Sequence, residues 1–347
     1  MENSTIQSKA RYNWIDNIKA AACILVVLGH FFMSMKASGL ISGGTVFNYF
    51  VNTIYTFHVQ LFFVCSGFLY QKSNRVHSLK SWRSNALDKL LNLGVPYFTF
   101  SLATLVLKIL FPDNLTTQAT DILNTLFVDP TAPYWYLYAL FFFFLIIPCM
   151  RSKKDAYCLF AVSIILKITH TVLVQQGIAL PYIVSTIMGK LIWFSAGILL
   201  CFIDFSGSKK SPKIICALSG VGAIASSLIL CTGNTVNPWA GFLTGALFVA
   251  FAVTCSQLVK FKAVSKFSSW FSKYFMPVFL MHTIFAAGLR SILFKLGIDS
   301  SFLHIFLGLP AGFIFPMIVY KIMEKLPALM FFVYPKKSLS IIKGSKQ

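Results

Sequence analysis

Ten apolar runs, each long enough to cross a lipid bilayer, follow one another along this chain with only short segments between most of them. A hydrocarbon core of about 30 Å takes roughly twenty residues of helix. Runs of that kind lie near 14–35, 49–70, 93–111, 133–150, 156–175, 182–203, 214–232, 239–258, 275–296 and 301–323. Inside hydrocarbon the backbone must satisfy its own hydrogen bonds, so such runs are read as helices. The fold class expected is therefore all-α: a polytopic membrane protein of about ten transmembrane helices, forming one domain over residues 1–347. Between the fourth and fifth runs, residues 151–155 leave room only for a tight hairpin. The first run is too long for the apolar part of a signal peptide and has no A-x-A site behind it, so it is expected to remain as a span.

Charge gives these helices a direction. The segments 1–13, 71–92, 151–155, 204–213, 259–274 and 321–347 hold 23 Lys or Arg between them, whereas the opposite loops hold one, Lys36. A bias that alternates at every loop places the basic segments, and with them both termini, in the cytoplasm. The same distribution explains the net charge of +20 without nucleic acid, since the bases sit between apolar runs. Only 12% of the residues are charged, against about 25% in soluble domains. The outer loop 112–132 carries Asp113, Asp121 and Asp129 and no base, as a solvated outer loop should. An acceptor contact there is the alternative. The Lys-rich tail, about 335–347, is expected to be flexible and held near anionic headgroups. The eight cysteines are scattered, form no C-x-x-C pair, and read as small buried hydrophobes.

Ionisable groups at membrane depth are costly and face a polar cavity or a partner, which makes them the candidates for function. Asp16, Lys19 and His30 lie on the first span. At 100° per residue, Lys19 and His30 differ by about 20° around the axis, and Asp16 and His30 by about 40°. That shared face runs about 16 Å from Lys19 to His30. His58 enters on the second span at a depth close to that of His30, so the two imidazoles could share a pocket. Lys167 and His170, Lys190, and His282 and Arg290 add further bases on spans five, six and nine, while Asp16 is the one acid at comparable depth. Buried cations without buried acids need water, backbone carbonyls or an anionic ligand. Snorkelling accounts for Lys108 and Lys295 near outer helix ends, but histidine is too short for it.

These residues carry a resemblance. Trp14-Ile-Asp-Asn-Ile-Lys19 followed by Cys23-Ile-Leu-Val-Val-Leu-Gly-His30 resembles the first-helix signature of the acyltransferase 3 family of bacterial membrane acyltransferases. Phe57-His-Val-Gln-Leu-Phe-Phe-Val-Cys-Ser-Gly-Phe-Leu69 is similar to that family's second-helix motif. Pro96-Tyr97, Pro133-Tyr-Trp-Tyr-Leu-Tyr-Ala-Leu140, Phe194-Ser-Ala-Gly197 and Phe279-Leu-Met-His282 fall where the family has weaker marks. The resemblance spans essentially the whole chain and is closest to the fucose 4-O-acetylase-like branch. Two departures stand out: Lys89 and Asn92 replace the family's frequent Arg-x-x-Arg pair, and His58-Val59-Gln60 replaces its usual His-Met-Pro, removing an expected kink.

What the resemblance implies is a multi-pass protein of the bacterial cytoplasmic membrane. It would move an acyl group, commonly acetyl, from cytoplasmic acyl-CoA to a hydroxyl of a surface polysaccharide or its lipid-linked precursor. His30 matches the family's first-helix histidine, Lys19 its basic position, Asp16 its acid, and His58 the second-helix histidine of this branch. The expected partners are the lipid bilayer, acyl-CoA (acetyl-CoA as co-substrate) and a glycan acceptor, with no permanently bound cofactor, no metal and no nucleic acid. Acyl transfer to an alcohol needs a base near neutral pH, which imidazole supplies, and donors for the developing oxyanion. His30 is assigned as general base or acyl relay and His58 as its orienting or second acid–base group. Asp16, Lys19, Arg83 and Lys89 are assigned to the donor, and Trp135, Lys167, Lys190, His282 and Arg290 to the substrate pocket. No G-x-S-x-G elbow or HExxH motif is present. The competing readings are an exporter of polysaccharide or small molecules with the same fold, and a non-catalytic scaffold. Paired broken helices of a transporter repeat are not found in the sequence.

Overall fold

A computed structural model describes residues 12–111, 121–203, 211–233 and 235–344. Every regular element among them is helical. In chain order these are α1 (Asn13–Ala37), α2 (Thr45–Ser73), α3 (Leu79–Lys89), α4 (Val95–Leu110), α5 (Trp135–Ile146), α6 (Lys153–Gln175) and α7 (Tyr182–Leu200). The second half holds α8 (Ser211–Leu230), α9 (Pro238–Leu258), α10 (Lys262–Phe271), α11 (Phe275–Lys295), α12 (Ser301–Lys325), α13 (Pro327–Met330) and α14 (Pro335–Gly344). Among the described residues, nine helical stretches are long and apolar enough to cross a membrane, counting Leu79–Leu110 and Lys262–Lys295 each as one.

The tenth expected span, 133–150, is shorter as a helix than its hydropathy suggests. α5 has 12 residues, about 18 Å of rise. Beyond it the chain leaves the helix at Ile147, which is extended, ahead of Pro148. Fully extended, residues 147–150 add about 13 Å, which brings the stretch to the thickness of a hydrocarbon core. Non-helical backbone at that depth must be satisfied by protein, and α2 and α3 do so. Asn85 Nδ2 donates to the Phe144 carbonyl at 3.3 Å, Trp82 Nε1 to Leu145 at 2.7 Å and the Tyr70 hydroxyl to Ile147 at 2.6 Å. Gln71 clamps Met150 from both sides, accepting from its N–H at 2.8 Å and donating to its carbonyl at 2.9 Å.

Three stretches expected to lie outside the spans are themselves helical, and one of them is the basic segment 259–274, which holds α10. The basic segment 71–92 contains α3, opened by a capping box in which Ser78 and Ser81 bond reciprocally. It runs into α4 through a π-helical turn, Leu90–Gly94, just before Pro96. A wider turn suits that place, since proline lacks the N–H of a regular ladder. The tail expected to be flexible forms α14 up to Gly344. Its Ser338 is fully buried and donates to the Pro327 carbonyl at 2.6 Å, Lys336 pairs with Asp88, and Lys337 Nζ lies 3.5 Å from Glu324. Residues 1–11, 112–120 and 204–210, which include Asp113, lie outside the described residues.

α2 is the most buried span and the centre of the packing. Small residues let its neighbours approach to backbone contact, as membrane helices require when no hydrophobic force drives them together. A Cβ on Gly67 would stand 2.0 Å from the Phe194 carbonyl oxygen, and one on Gly197 2.1 Å from that of Val64, so α2 and α7 cross glycine to backbone in both directions. Gly245 brings α9 equally close to Thr56 on α2. α2 runs unbroken through His58, in keeping with the absence of proline at position 60.

Candidate active site

α1 and α2 meet where His30 stands. Gly29 makes room there, since a Cβ on it would lie 3.0 Å from Tyr55 Cε2. The Tyr55 ring therefore lies against the α1 backbone, its centroid 6.2 Å from that of His30 and 4.9 Å from that of His58. The two histidines expected to share a pocket are thus joined through a tyrosine. From the other side His282 of α11 approaches His30, with ring centroids 5.4 Å apart and planes tilted by 50°. α12 holds this side closed by laying Gly308 on Phe31 and Gly312 on Val27, one residue beyond His30 and three before it.

Hydrogen bonds fix two of the three imidazoles. His58 Nδ1 lies 2.7 Å from the Ile54 carbonyl oxygen, and His282 Nδ1 lies 3.0 Å from those of Val278 and Phe279. A carbonyl only accepts, so both Nδ1 atoms carry the proton, and the neutral rings present a lone pair at Nε2. The Nε2 of His282 is buried and has no hydrogen-bond partner. Neither ring nitrogen of His30, which is half-buried, is bonded to a described residue. An unengaged imidazole thus sits beside a second whose free nitrogen is an acceptor, in a setting that holds a proton acceptor for a third molecule.

Basic groups continue from this pair. Arg290, eight residues after His282 on α11, is 6% exposed and donates through Nη1 to Ser34 Oγ, one turn beyond His30 on α1. Its Nε has no partner, and no described carboxylate pairs with it. On the α7 side, Lys190 is half-buried and lies within electrostatic reach of His58 and of Lys167. Its neighbour Gly189 seats the ring of His170, whose Nε2 lies 2.8 Å from Ser185 Oγ. Lys167 Nζ stands 5.6 Å over the Phe242 ring. The fold therefore joins His282, His30, Tyr55, His58, Lys190, Lys167 and His170 in one connected string contributed by five helices.

The remaining expected residues lie elsewhere. Asp16 and Lys19 are half-buried near the start of α1, both within electrostatic reach of Cys65 on α2. Arg83 is exposed on α3, and Lys89 lies 4.1 Å over the Phe144 ring. Asn92 donates back to the Asp88 carbonyl at 2.7 Å. Trp135 packs on Phe63, with centroids 6.2 Å apart. Its neighbour Tyr134, fully buried, is the residue that reaches α11, donating to the Leu280 carbonyl at 3.0 Å. Tyr55 and Ser34, which carry no charge, give no signal in the sequence. Tyr55, three residues before His58, shares its helical face, and Ser34, four after His30, shares that of His30. Among the described residues no group of three or more His, Cys, Asp or Glu side chains is placed to hold a metal.

With this geometry in place, comparison with known proteins decides the family. The family model of an acyltransferase domain matches residues 12–321. The chain belongs to that family. The match takes in α1 through most of α12, and so every candidate residue named above. It supports a membrane acyltransferase, and nothing in it favours the exporter reading. No curated protein and no solved structure is significantly similar to the chain.

Proposed function

We propose that this protein is an O-acyltransferase of the bacterial cytoplasmic membrane. It takes an acyl group, most simply acetyl, from cytoplasmic acyl-CoA and places it on a hydroxyl of a surface polysaccharide or its lipid-linked precursor. The observation that carries this reading is the His30–His282 pair, an unengaged imidazole packed against another with an unpartnered Nε2.

In this reaction the acceptor hydroxyl gives its proton to His30 as its oxygen attacks the thioester carbonyl. The C–S bond then breaks, and the leaving thiolate takes the proton back from the imidazolium. His282 offers its Nε2 lone pair to that imidazolium, and Tyr55 sets the ring between α1 and α2. A positioned base of this kind contributes about 10²–10⁴-fold. Arg290, with Nε unpartnered, and Lys190 supply positive charge for the oxyanion or for anionic groups of the substrates. Asp16 and Lys19, about 16 Å down α1 from His30, and Arg83 and Lys89 on α3 serve the donor at the basic face. The resemblance to the fucose 4-O-acetylase-like branch makes a sugar hydroxyl of the polysaccharide the acceptor to test first.

The test is to supply membranes containing the protein with radiolabelled acetyl-CoA and acceptor glycan. Label on the glycan with wild type, and none above background with His30→Ala at equal protein level, supports the reading. Equal label in both overturns it.

A further inference from the structure

Arg290 keeps a positive charge inside the bundle with one of its donors unspent. The residue is 6% exposed, and its Nη1 donates to Ser34 Oγ. Its buried Nε has no hydrogen-bond partner, and among the described residues no carboxylate pairs with it. A guanidinium has N–H donors and no acceptor, so what Nε lacks is an acceptor atom. A buried charge without a counter-charge is costly, which makes an anion the fitting partner. Snorkelling does not relieve that cost, because the bond to Ser34 holds the head group between α1 and α11. The nearest bases in sequence are turned to rings instead. Lys36 Nζ stands 4.9 Å over the Phe47 ring, and Lys295 Nζ 5.7 Å over that of Phe111. Arg290 thus offers one positive charge.

Its place along the helices separates the two substrates. α1 and α11 touch at His30 and His282, and again further along both at Ser34 and Arg290, so they run in the same direction. Ser34 lies about 6 Å beyond His30 on α1, and Arg290 about 12 Å beyond His282 on α11. Asp16 and Lys19, assigned to the donor, lie before His30 on α1. The guanidinium and these donor residues therefore stand on opposite sides of His30, and the anion at Arg290 comes from the acceptor. We propose that the acceptor is an acidic glycan, and that Arg290 selects it by binding the carboxylate of a sugar acid. This rests on acyl transfer at His30, as proposed above. A carboxylate matches one guanidinium in charge and in its planar geometry. A lipid-linked diphosphate carries more charge than this single base offsets. The step of about 6 Å between the levels of His30 and Ser34 is the scale of one sugar ring, from a hydroxyl to a carboxylate across it.

The experiment gives the purified full chain radiolabelled acetyl-CoA and de-O-acetylated surface polysaccharide from the producing cells. The polysaccharide is used as isolated and after chemical reduction of its carboxylates to alcohols. With wild type, KM for the native polymer should be about tenfold to a hundredfold below that for the reduced one, as a charge-assisted hydrogen bond provides. Arg290→Gln should erase that preference by raising KM for the native polymer alone, and Arg290→Lys, which keeps the charge without the fork, should fall between. Equal KM for the two polymers with wild type overturns the proposal, and needs no variant to fold. A preference that survives Arg290→Gln overturns it too, as does an equal loss on both polymers, which marks a structural role. These results leave acyl transfer standing, since label still reaches the glycan. Label on neither polymer with wild type instead rejects acyl transfer itself, and the acidic acceptor with it.

Discussion

The imidazoles of His30 and His282 face each other with centroids 5.4 Å apart, and the buried Nε2 of His282 has no other partner. Because Nδ1 of His282 is committed to two carbonyls, this ring can only receive a proton or hydrogen bond at Nε2. In the proposed reaction it is therefore a positioning residue that steadies the protonated state of His30. His282→Leu fills the site but removes the ring's acceptor nitrogen. It should lower kcat about tenfold to a hundredfold, less than loss of His30 itself. KM for the acyl donor should stay constant, because the residues assigned to the donor in the proposed reaction lie near the start of α1 and on α3. A KM effect without a kcat effect would contradict this role.

The α2–α7 crossing makes a second prediction. Any Cβ on Gly197 meets the Val64 carbonyl oxygen, which belongs to backbone and cannot step aside. Gly197→Ala should destabilise by about 1–3 kcal/mol, as overpacking does, seen as a lower melting temperature in detergent. Gly288→Ala, where nothing lies within 4 Å of the new methyl, should be neutral or slightly stabilising.

The clamp at the end of α5 is equally exposed to test. Gln71→Leu keeps the apolar volume but strands the N–H and carbonyl of Met150. A cost of about 1–3 kcal/mol for each stranded group follows, with Gln71→Glu rescuing only the N–H. Thermal unfolding of the purified variants measures it, and a Gln71→Leu protein as stable as wild type would contradict the clamp.

Orientation, read from charge alone, is tested by labelling. In a background freed of its eight cysteines, Ser42→Cys should react with an impermeant maleimide in intact cells. Lys266→Cys should react only after permeabilisation. The reverse pattern would invert the molecule.

What the sequence made legible follows from which forces act locally. The spans of α1, α2, α6, α7, α9, α11 and α12 are written in long apolar runs, and the family in the residues from Trp14 to His30. α3 and α14 were hidden because their polar residues carry no hydropathy signal, and what orders them is a capping box and contacts of Lys336 and Ser338. The shortening of α5 depends on Tyr70, Gln71, Trp82 and Asn85, all distant in sequence. Depth in the membrane groups His30 with His58, but only tertiary packing places Tyr55 between them and His282 against His30. Asn17, in the very motif that carries the family resemblance, drew no attention as a neutral residue. Its buried Oδ1 has no hydrogen-bond partner, which only the folded structure shows.

The central claim is that His30 performs the acyl transfer. Its most direct test is the O-acetyl content of surface polysaccharide from cells producing wild type or His30→Ala at matched membrane levels. With His30 as the base, the acetyl groups vanish in the variant while polymer export continues. Full acetylation with His30→Ala would contradict it.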